Sequence, residues 1–123
     1  MRILLAILRI LGGIQLLLGI CFWLGYAITW IPLHMAIGVV FVLVLWIIGI
    51  IGATKGAGVG AAVGAIGWGI LVAAIGMMQQ RILIGEMHWI IRVTHLVIAL
   101  ASLPLAGVIY TRAQKAQSSH VAA

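Results

Sequence analysis

The sequence predicts an all-α integral membrane protein, an antiparallel up-and-down four-helix bundle built from two helical hairpins. Of its 123 residues, 66% are hydrophobic and 7% are charged, and the mean hydropathy is +1.36. The apolar residues fall into four long runs, each close to the roughly 20 residues that cross a hydrocarbon core. The connections between the runs are short, so consecutive helices should be antiparallel neighbours.

We place the spans at about residues 3–26, 31–53, 57–79 and 87–111, within one bundle domain of residues 1–113. Pro32 suits the first turn of a helix, and the Gly-rich stretch from Gly52 to Gly60 and the polar segment from Gln79 to His88 break the later runs. The first run is too long for the apolar region of a signal peptide, so we expect it to remain as a span. Residues 114–123 are expected to form a polar tail that frays.

The basic residues indicate an orientation. Two of them, Arg81 and Arg92, fall on one side of the predicted membrane, and five fall on the other side: Arg2, Arg9, Lys55, Arg112 and Lys115. The positive-inside rule therefore predicts an inner or plasma membrane protein with both termini in the cytoplasm. The basic residues are scattered, without a run interleaved with aromatics, so we expect lipid headgroups rather than nucleic acid as their partners.

Two histidines, His34 and His95, each lie near the start of an apolar run, where almost nothing else can ionise. Titratable side chains are expensive in lipid and usually face the bundle interior, which makes each a candidate functional residue. With a rise of 1.5 Å per residue, His34 lies about 5 Å and His95 about 12 Å below the predicted helix starts, both toward the outer face. Imidazoles from two helices commonly hold haem iron from both sides, so we predict that this pair ligates one haem b.

The neighbours of the two histidines suit that interpretation. Gly38 and Ala99 each follow a histidine by four residues, which puts a small residue on the same helical face, where a flat macrocycle could lie. On the fourth span His88, Arg92 and His95 share one stripe. Arg92 is the preferred partner of a haem propionate through charge-assisted hydrogen bonds, and Arg81 is a second candidate.

Plainer interpretations remain open for several residues. His34 and His95 could be packed or interfacial histidines, and His88 beside Trp89 suits the membrane interface better than it suits ligation in place of His95. His120 is expected to be solvated. The glycines of the third span, with Gly60 and Gly64 in a GxxxG pattern, indicate close helix packing. Cys21 and the methionines are interpreted as packing residues, with a histidine and methionine ligand pair as a weaker alternative.

Two short segments carry a family resemblance: Pro32-Leu33-His34-Met35-Ala36-Ile37-Gly38 and Val93-Thr94-His95-Leu96-Val97-Ile98-Ala99. Each belongs to the second helix of a hairpin, and this layout resembles one four-helix half of the haem A synthase family. Gln15-Leu16-Leu17-Leu18-Gly19 is similar to the first helix of that family. The resemblance implies haem held between histidines of the second and fourth helices on the outer side.

This chain has one bundle where that family has two, and its sole acid, Glu86, is in the third connection rather than in the first span. The resemblance therefore implies simple binding of haem b rather than a haem-modifying reaction.

These patterns favour an electron-transfer protein over a catalyst. The sequence lacks an HExxH, a CxxC, a Walker loop and a hydrolytic triad, and two axial histidines leave no open iron position. The expected partner is a quinol pool or a redox protein, either within a larger complex or in a homo-oligomer. The alternatives are a haem-free packing subunit or small oligomeric transporter, and, ranked last, a metal or proton relay through His88, His95 and Glu86.

Overall fold

The computed structural model describes the backbone of residues 1–122 and the side chains of residues 1–119, and this part of the chain is helical without a strand. Its four helices are α1 (Arg2–Trp23), α2 (Ile31–Gly52), α3 (Val59–Met78) and α4 (His88–Ala122). All four are long and apolar enough to cross a membrane, which confirms the all-helical class and supports a membrane protein. The expected exposure of the His120 side chain lies outside the described residues.

The turn between α1 and α2 is closed by backbone hydrogen bonds. At the end of α1 the Gly25 amide donates to the Phe22 carbonyl at 3.1 Å and the Tyr26 amide donates to the Cys21 carbonyl at 2.8 Å, with Gly25 at φ +83°. This is a Schellman motif, in which glycine takes the left-handed conformation that ends a helix. A short 3₁₀ turn, Ile28–Trp30, leads into α2, and Pro32 lies in its first turn, where no amide hydrogen is needed.

The connection between α2 and α3 is a π-helical turn, Ala53–Ala57, that breaks at Lys55 and Gly56. Gly56 has φ +92°, and a Cβ built there would lie 2.6 Å from the Cβ of Ala116. Only glycine fits both the backbone conformation and this close approach to α4. Between α3 and α4, residues 79–87 form turns in which Leu83 and Gly85 have positive φ.

The fourth helix differs from the expectation because it continues to Ala122 instead of giving way to a frayed tail. Alanine, glutamine, lysine and arginine dominate residues 112–117 and are strong helix formers. Ala113 is 1% exposed, and Ala116 lies against the turn at Gly56. The part of α4 around Ala113 and Ala116 is therefore packed against the rest of the chain, with Ala116 on the turn between α2 and α3.

Close packing joins α2 to its neighbours. A Cβ at Gly49 would overlap Ala65, and one at Gly69 would overlap the indole nitrogen of Trp46, so α2 and α3 approach through glycine and alanine. Trp68 of α3 donates from its indole nitrogen to the Ile98 carbonyl of α4 at 2.9 Å. Within the described residues α2 and α4 each approach all three other helices, whereas no Cα atom of α1 lies within 8 Å of a Cα atom of α3.

Buried apolar side chains are concentrated toward the end of the bundle where Arg2 lies beside Tyr110, which we call the Arg2 end. The cluster consists of Leu5, Leu8, Phe41, Val42, Val44, Leu45, Ile48, Ala61, Ala65, Val72, Ala106 and Ile109. At the opposite end, which we call the His34 end, few side chains are fully enclosed, because among residues 11–40 and 73–101 only Ile91 is buried. The two histidines lie in this more exposed half.

Candidate functional site

The structure brings His34 and His95 together at the His34 end. His34 lies in the first turn of α2 and His95 about two turns into α4. Both side chains are half-buried, and the electrostatic influence of His95 reaches His34, so the two imidazoles lie in the same region of the bundle. The ring of Phe22 from α1 packs edge-on to His34, with ring centroids 5.3 Å apart and an angle of 72° between the planes. Helices α1, α2 and α4 therefore meet at the imidazole pair.

The third helix contributes a gap that the ring of His95 fills. A Cβ built at Gly76 would lie 2.8 Å from Cε1 of His95 and 3.4 Å from its Nδ1. Real Cβ atoms do not approach a ring carbon so closely, so any larger residue at this position would push the imidazole away. Gly76 thus lets the His95 ring lie against α3.

Gln15 of α1 is the polar neighbour of His34. Its amide nitrogen donates to the His34 carbonyl oxygen at 2.9 Å. A Cβ at Gly38 would lie 2.7 Å from the same amide nitrogen. Gly38 therefore makes room for the Gln15 side chain, rather than presenting an open face to a macrocycle as its spacing from His34 had indicated.

Three polar atoms of this group are enclosed by protein without a hydrogen-bond partner: Gln15 Oε1, His34 Nδ1 and His95 Nδ1. Each enclosed atom without a partner costs about 1–3 kcal/mol. A neutral imidazole that carries its proton on Nδ1 is a donor there, and an amide oxygen is an acceptor. The unpaired atoms of this cluster are thus chemically complementary. We call Gln15, His34, Gly76 and His95 the histidine cluster.

The other predicted site residues lie around this cluster. His88 is half-buried in the first turn of α4, and its Nδ1 is 3.4 Å from the Ile82 carbonyl oxygen. Arg81 and Arg92 are exposed, and Ala99 is half-buried against the apolar core. The described residues contain no group of three or more histidine, cysteine or acidic side chains placed to hold a metal ion, so His88, His95 and Glu86 form no such group.

Sequence reasoning did not assign roles to Gln15 and Gly76. A signal for Gln15 was present, because it is a side-chain amide within an apolar span, where polar groups usually bond to another helix. Gly76 carried no signal of its own among the glycines of α3. In the structure these glycines fall into two groups. A Cβ at Gly69 or Gly76 would collide with a neighbouring side chain, whereas a Cβ at Gly60, Gly64 or Gly67 would meet no atom within 4 Å.

Comparisons of the chain with protein-family models, with curated proteins and with solved structures gave no match. Function is therefore inferred from the geometry of the histidine cluster.

Proposed function

We propose that this protein is a small membrane cytochrome of the b type, in which His34 and His95 ligate one haem b. The observation that carries the proposal is that two half-buried imidazoles, one from α2 and one from α4, lie in the same region of the bundle, each with its Nδ1 enclosed by protein. Helical bundles commonly build cofactor sites from side chains of facing helices.

The residues of the histidine cluster fit a haem. In both rings Nδ1 is the nitrogen enclosed by protein, which leaves Nε2 as the ligating atom. Metal-ligating histidines donate their other N–H to a nearby acceptor, and Gln15 Oε1 is an enclosed acceptor without a donor. Most side chains at the His34 end are partly or fully exposed, because Ile91 is the one buried side chain of residues 73–101, so a haem bound there would lie at the surface of the bundle rather than in an enclosed cavity.

Residues of this chain would bind and orient the haem. Arg92 and Arg81 are exposed at the same end and could pair with propionates by charge-assisted hydrogen bonds. Bound between two histidines, haem supplies a one-electron couple with no open iron position, which suits electron transfer rather than oxygen chemistry. A quinol pool or a redox protein is the proposed partner, and the resemblance to one half of the haem A synthase family agrees with this assignment.

We further propose that the four helices cross an inner or plasma membrane in an antiparallel up-and-down order, with both termini in the cytoplasm. Arg2 at the start of α1 donates from its Nε to the Tyr110 hydroxyl, late in α4, at 2.9 Å. Gln15 contacts His34 at the opposite end of α1. The first contact supports opposite directions for α1 and α4, and the second supports opposite directions for α1 and α2. The uneven distribution of basic residues supports the orientation.

The test is a reduced-minus-oxidised visible spectrum of the purified protein, produced with haem available, beside the variants His34→Ala and His95→Ala. We expect the sharp reduced α band of a low-spin b haem in the wild type and its loss in both variants. His88→Ala is the matched control, because His88 is bonded to the turn at Ile82 and should leave the band unchanged.

A folded wild type that stays colourless after haem supplementation would rule out the cytochrome. Loss of the band in His88→Ala with retention in His95→Ala would instead assign the second ligand to His88.

A second candidate is a haem-free packing subunit that works in an oligomer. It is favoured by the outward face of α3, where Cβ atoms at Gly60, Gly64 and Gly67 would meet nothing within 4 Å. Such glycine faces suit close contact between helices of different chains. A proton-coupled transporter is less well supported, because the sole acid, Glu86, lies in the turn before α4 rather than in a span.

A further inference from the structure

Two cavities open at the Arg2 end, remote from the histidine cluster. The larger, of about 550 Å³, lies between α1 and α4, with Leu5, Ala6, Pro104 and Gly107 among its apolar lining residues. Gly107 has no atom within 4 Å of a built Cβ, so its missing side chain helps to keep the space open. We call this cavity the α1–α4 groove.

Cationic and hydroxyl groups line the same groove. Arg2, Arg9 and Tyr110 all line it, and both arginines are exposed. A smaller cavity of about 320 Å³ shares Arg2 and Tyr110 and adds Lys55 and Gln114. The groove therefore joins an apolar lining to several groups that can bind an anion.

Hydrogen bonds hold Arg2 and Tyr110 in place. The Arg2 Nε donates to the Tyr110 hydroxyl oxygen at 2.9 Å, and the Gln114 amide nitrogen donates to the same oxygen at 3.0 Å. With both lone pairs of that oxygen engaged, the hydroxyl proton is left to donate to another acceptor. The terminal nitrogens of Arg2 make no hydrogen bond within the described residues, so they too can bind an acceptor.

Within the described residues no acidic side chain neutralises this region. The sequence has seven lysines and arginines and one acid, and that acid, Glu86, precedes α4 in the 79–87 turn, whereas Arg2, Arg9 and Lys55 lie at the Arg2 end. Uncompensated cations beside an apolar groove match a ligand with an anionic head and a hydrocarbon body. In a membrane that description fits an anionic phospholipid, and basic pockets between helices are known to take such headgroups.

We propose that the α1–α4 groove binds an anionic phospholipid. Its phosphate accepts hydrogen bonds from Arg2, Arg9 and the Tyr110 hydroxyl, and one acyl chain lies along Leu5, Ala6, Pro104 and Gly107. The site is independent of haem, because it shares no residue with the histidine cluster.

The experiment measures lipids retained by the full chain in mild detergent by native mass spectrometry, with phosphatidylglycerol or phosphatidylcholine added. We expect selective retention of phosphatidylglycerol. Arg2→Gln and Arg9→Gln should each weaken it about fivefold, the fold-change that corresponds to about 1 kcal/mol per basic residue near anionic lipid. Gly107→Leu, which fills the groove without changing charge, should also weaken it, whereas Arg92→Gln at the other end should not.

Circular dichroism and gel filtration identify variants that fold like the wild type, and Arg2→Gln and Gly107→Leu give two independent readouts if one of them misfolds. Equal retention of the two lipids by the wild type would overturn the proposal. So would unchanged retention in Gly107→Leu, because the charge would then act without the groove. Displacement of phosphatidylglycerol by the same concentration of inorganic phosphate would show that the groove binds a soluble phosphate. That result would overturn the proposal that its ligand is a phospholipid.

Discussion

The amide oxygen of Gln15 is enclosed without a donor in the same cluster where Nδ1 of His34 and Nδ1 of His95 are enclosed without a partner. A histidine that donates from Nδ1 to this oxygen would satisfy two of the three atoms at once. It would also fix the tautomer that leaves Nε2 unprotonated, the form in which an imidazole binds a metal. Gln15 is therefore a positioning residue for the proposed ligands.

Replacing Gln15 by methionine keeps the side-chain length and removes both hydrogen-bonding groups. We expect Gln15→Met to bind haem about 10–100-fold more weakly, as when an outer partner of a ligating histidine is lost. Gln15→Glu retains an acceptor oxygen and should recover most of the affinity. Haem titration of the purified apoprotein measures both. Leu17→Met, on the exposed side of α1, is the control, and equal affinity of Gln15→Met and wild type would remove Gln15 from the site.

Gly76 tests whether the position of the His95 ring matters. A Cβ at Gly76 would lie 2.8 Å from Cε1 of His95, whereas one at Gly67 would meet nothing within 4 Å. Gly76→Leu should therefore displace the ring and abolish the reduced α band. Gly67→Leu makes the same chemical change on the open face and should keep the band. Visible spectra at equal protein concentration compare the two variants, and a normal band in Gly76→Leu would show that the ring of His95 does not need this gap.

At the scale of residues, the sequence identified the two histidines because an ionisable group stands out in an apolar run. Their common side of the bundle followed from helix lengths and orientation. The neighbours were harder to predict, because the direction in which Gln15 or Gly76 points depends on how α1 and α3 are rotated against the other helices. Gly38 is a further example of this difficulty. Its spacing from His34 predicted a small residue beside an open face, but the side-chain amide of Gln15 from α1 occupies that face.

Within α3 the glycines have two different roles, set by the face on which they lie. Gly69 faces the indole of Trp46 from α2, and Gly64 faces no atom within 4 Å. We expect Gly69→Val to destabilise the bundle by about 1–3 kcal/mol through overpacking, and Gly64→Val to leave an isolated chain nearly unchanged. Thermal unfolding in detergent, followed by circular dichroism, compares the pair.

Gly64→Val also tests the packing-subunit alternative. If α3 joins copies of this chain or a partner through its glycine face, this substitution should weaken the assembly while the monomer stays folded, as seen by cross-linking. Equal loss of thermal stability in Gly64→Val and Gly69→Val would contradict the separation of the two faces.

The helices themselves were largely predictable, because the lengths of apolar runs and the positions of Pro32 and the Gly-rich turns mark their ends. The continuation of α4 as far as Ala122 was not predictable in this way. Polarity suggested a tail, but residues 112–117 are good helix formers, and Ala113 and Ala116 pack against other parts of the chain. Contacts between elements far apart in sequence thus support this helix as far as Ala116.

At the scale of the whole molecule, the two ends of the bundle differ in packing and in charge. The Arg2 end holds the buried core and the α1–α4 groove, and the His34 end holds the histidine cluster among side chains that are mostly not fully buried. The sequence could predict the charge difference, because the lysines and arginines on each side of the predicted membrane can be counted directly. It could not predict the packing difference, which depends on how the four helices approach one another.

The charge difference predicts an orientation that can be measured. Five basic residues should stay in the cytoplasm, and the 79–87 turn, with Arg81, should face outward. In a Cys21→Ala background, which removes the sole cysteine, we expect a membrane-impermeant maleimide to label Gln80→Cys on intact cells and to leave Ser118→Cys unlabelled. Both positions are exposed, so both should react after permeabilisation. The reverse pattern on intact cells would turn the histidine cluster toward the cytoplasm and would place the redox partner of the proposed haem there instead of on the outer side.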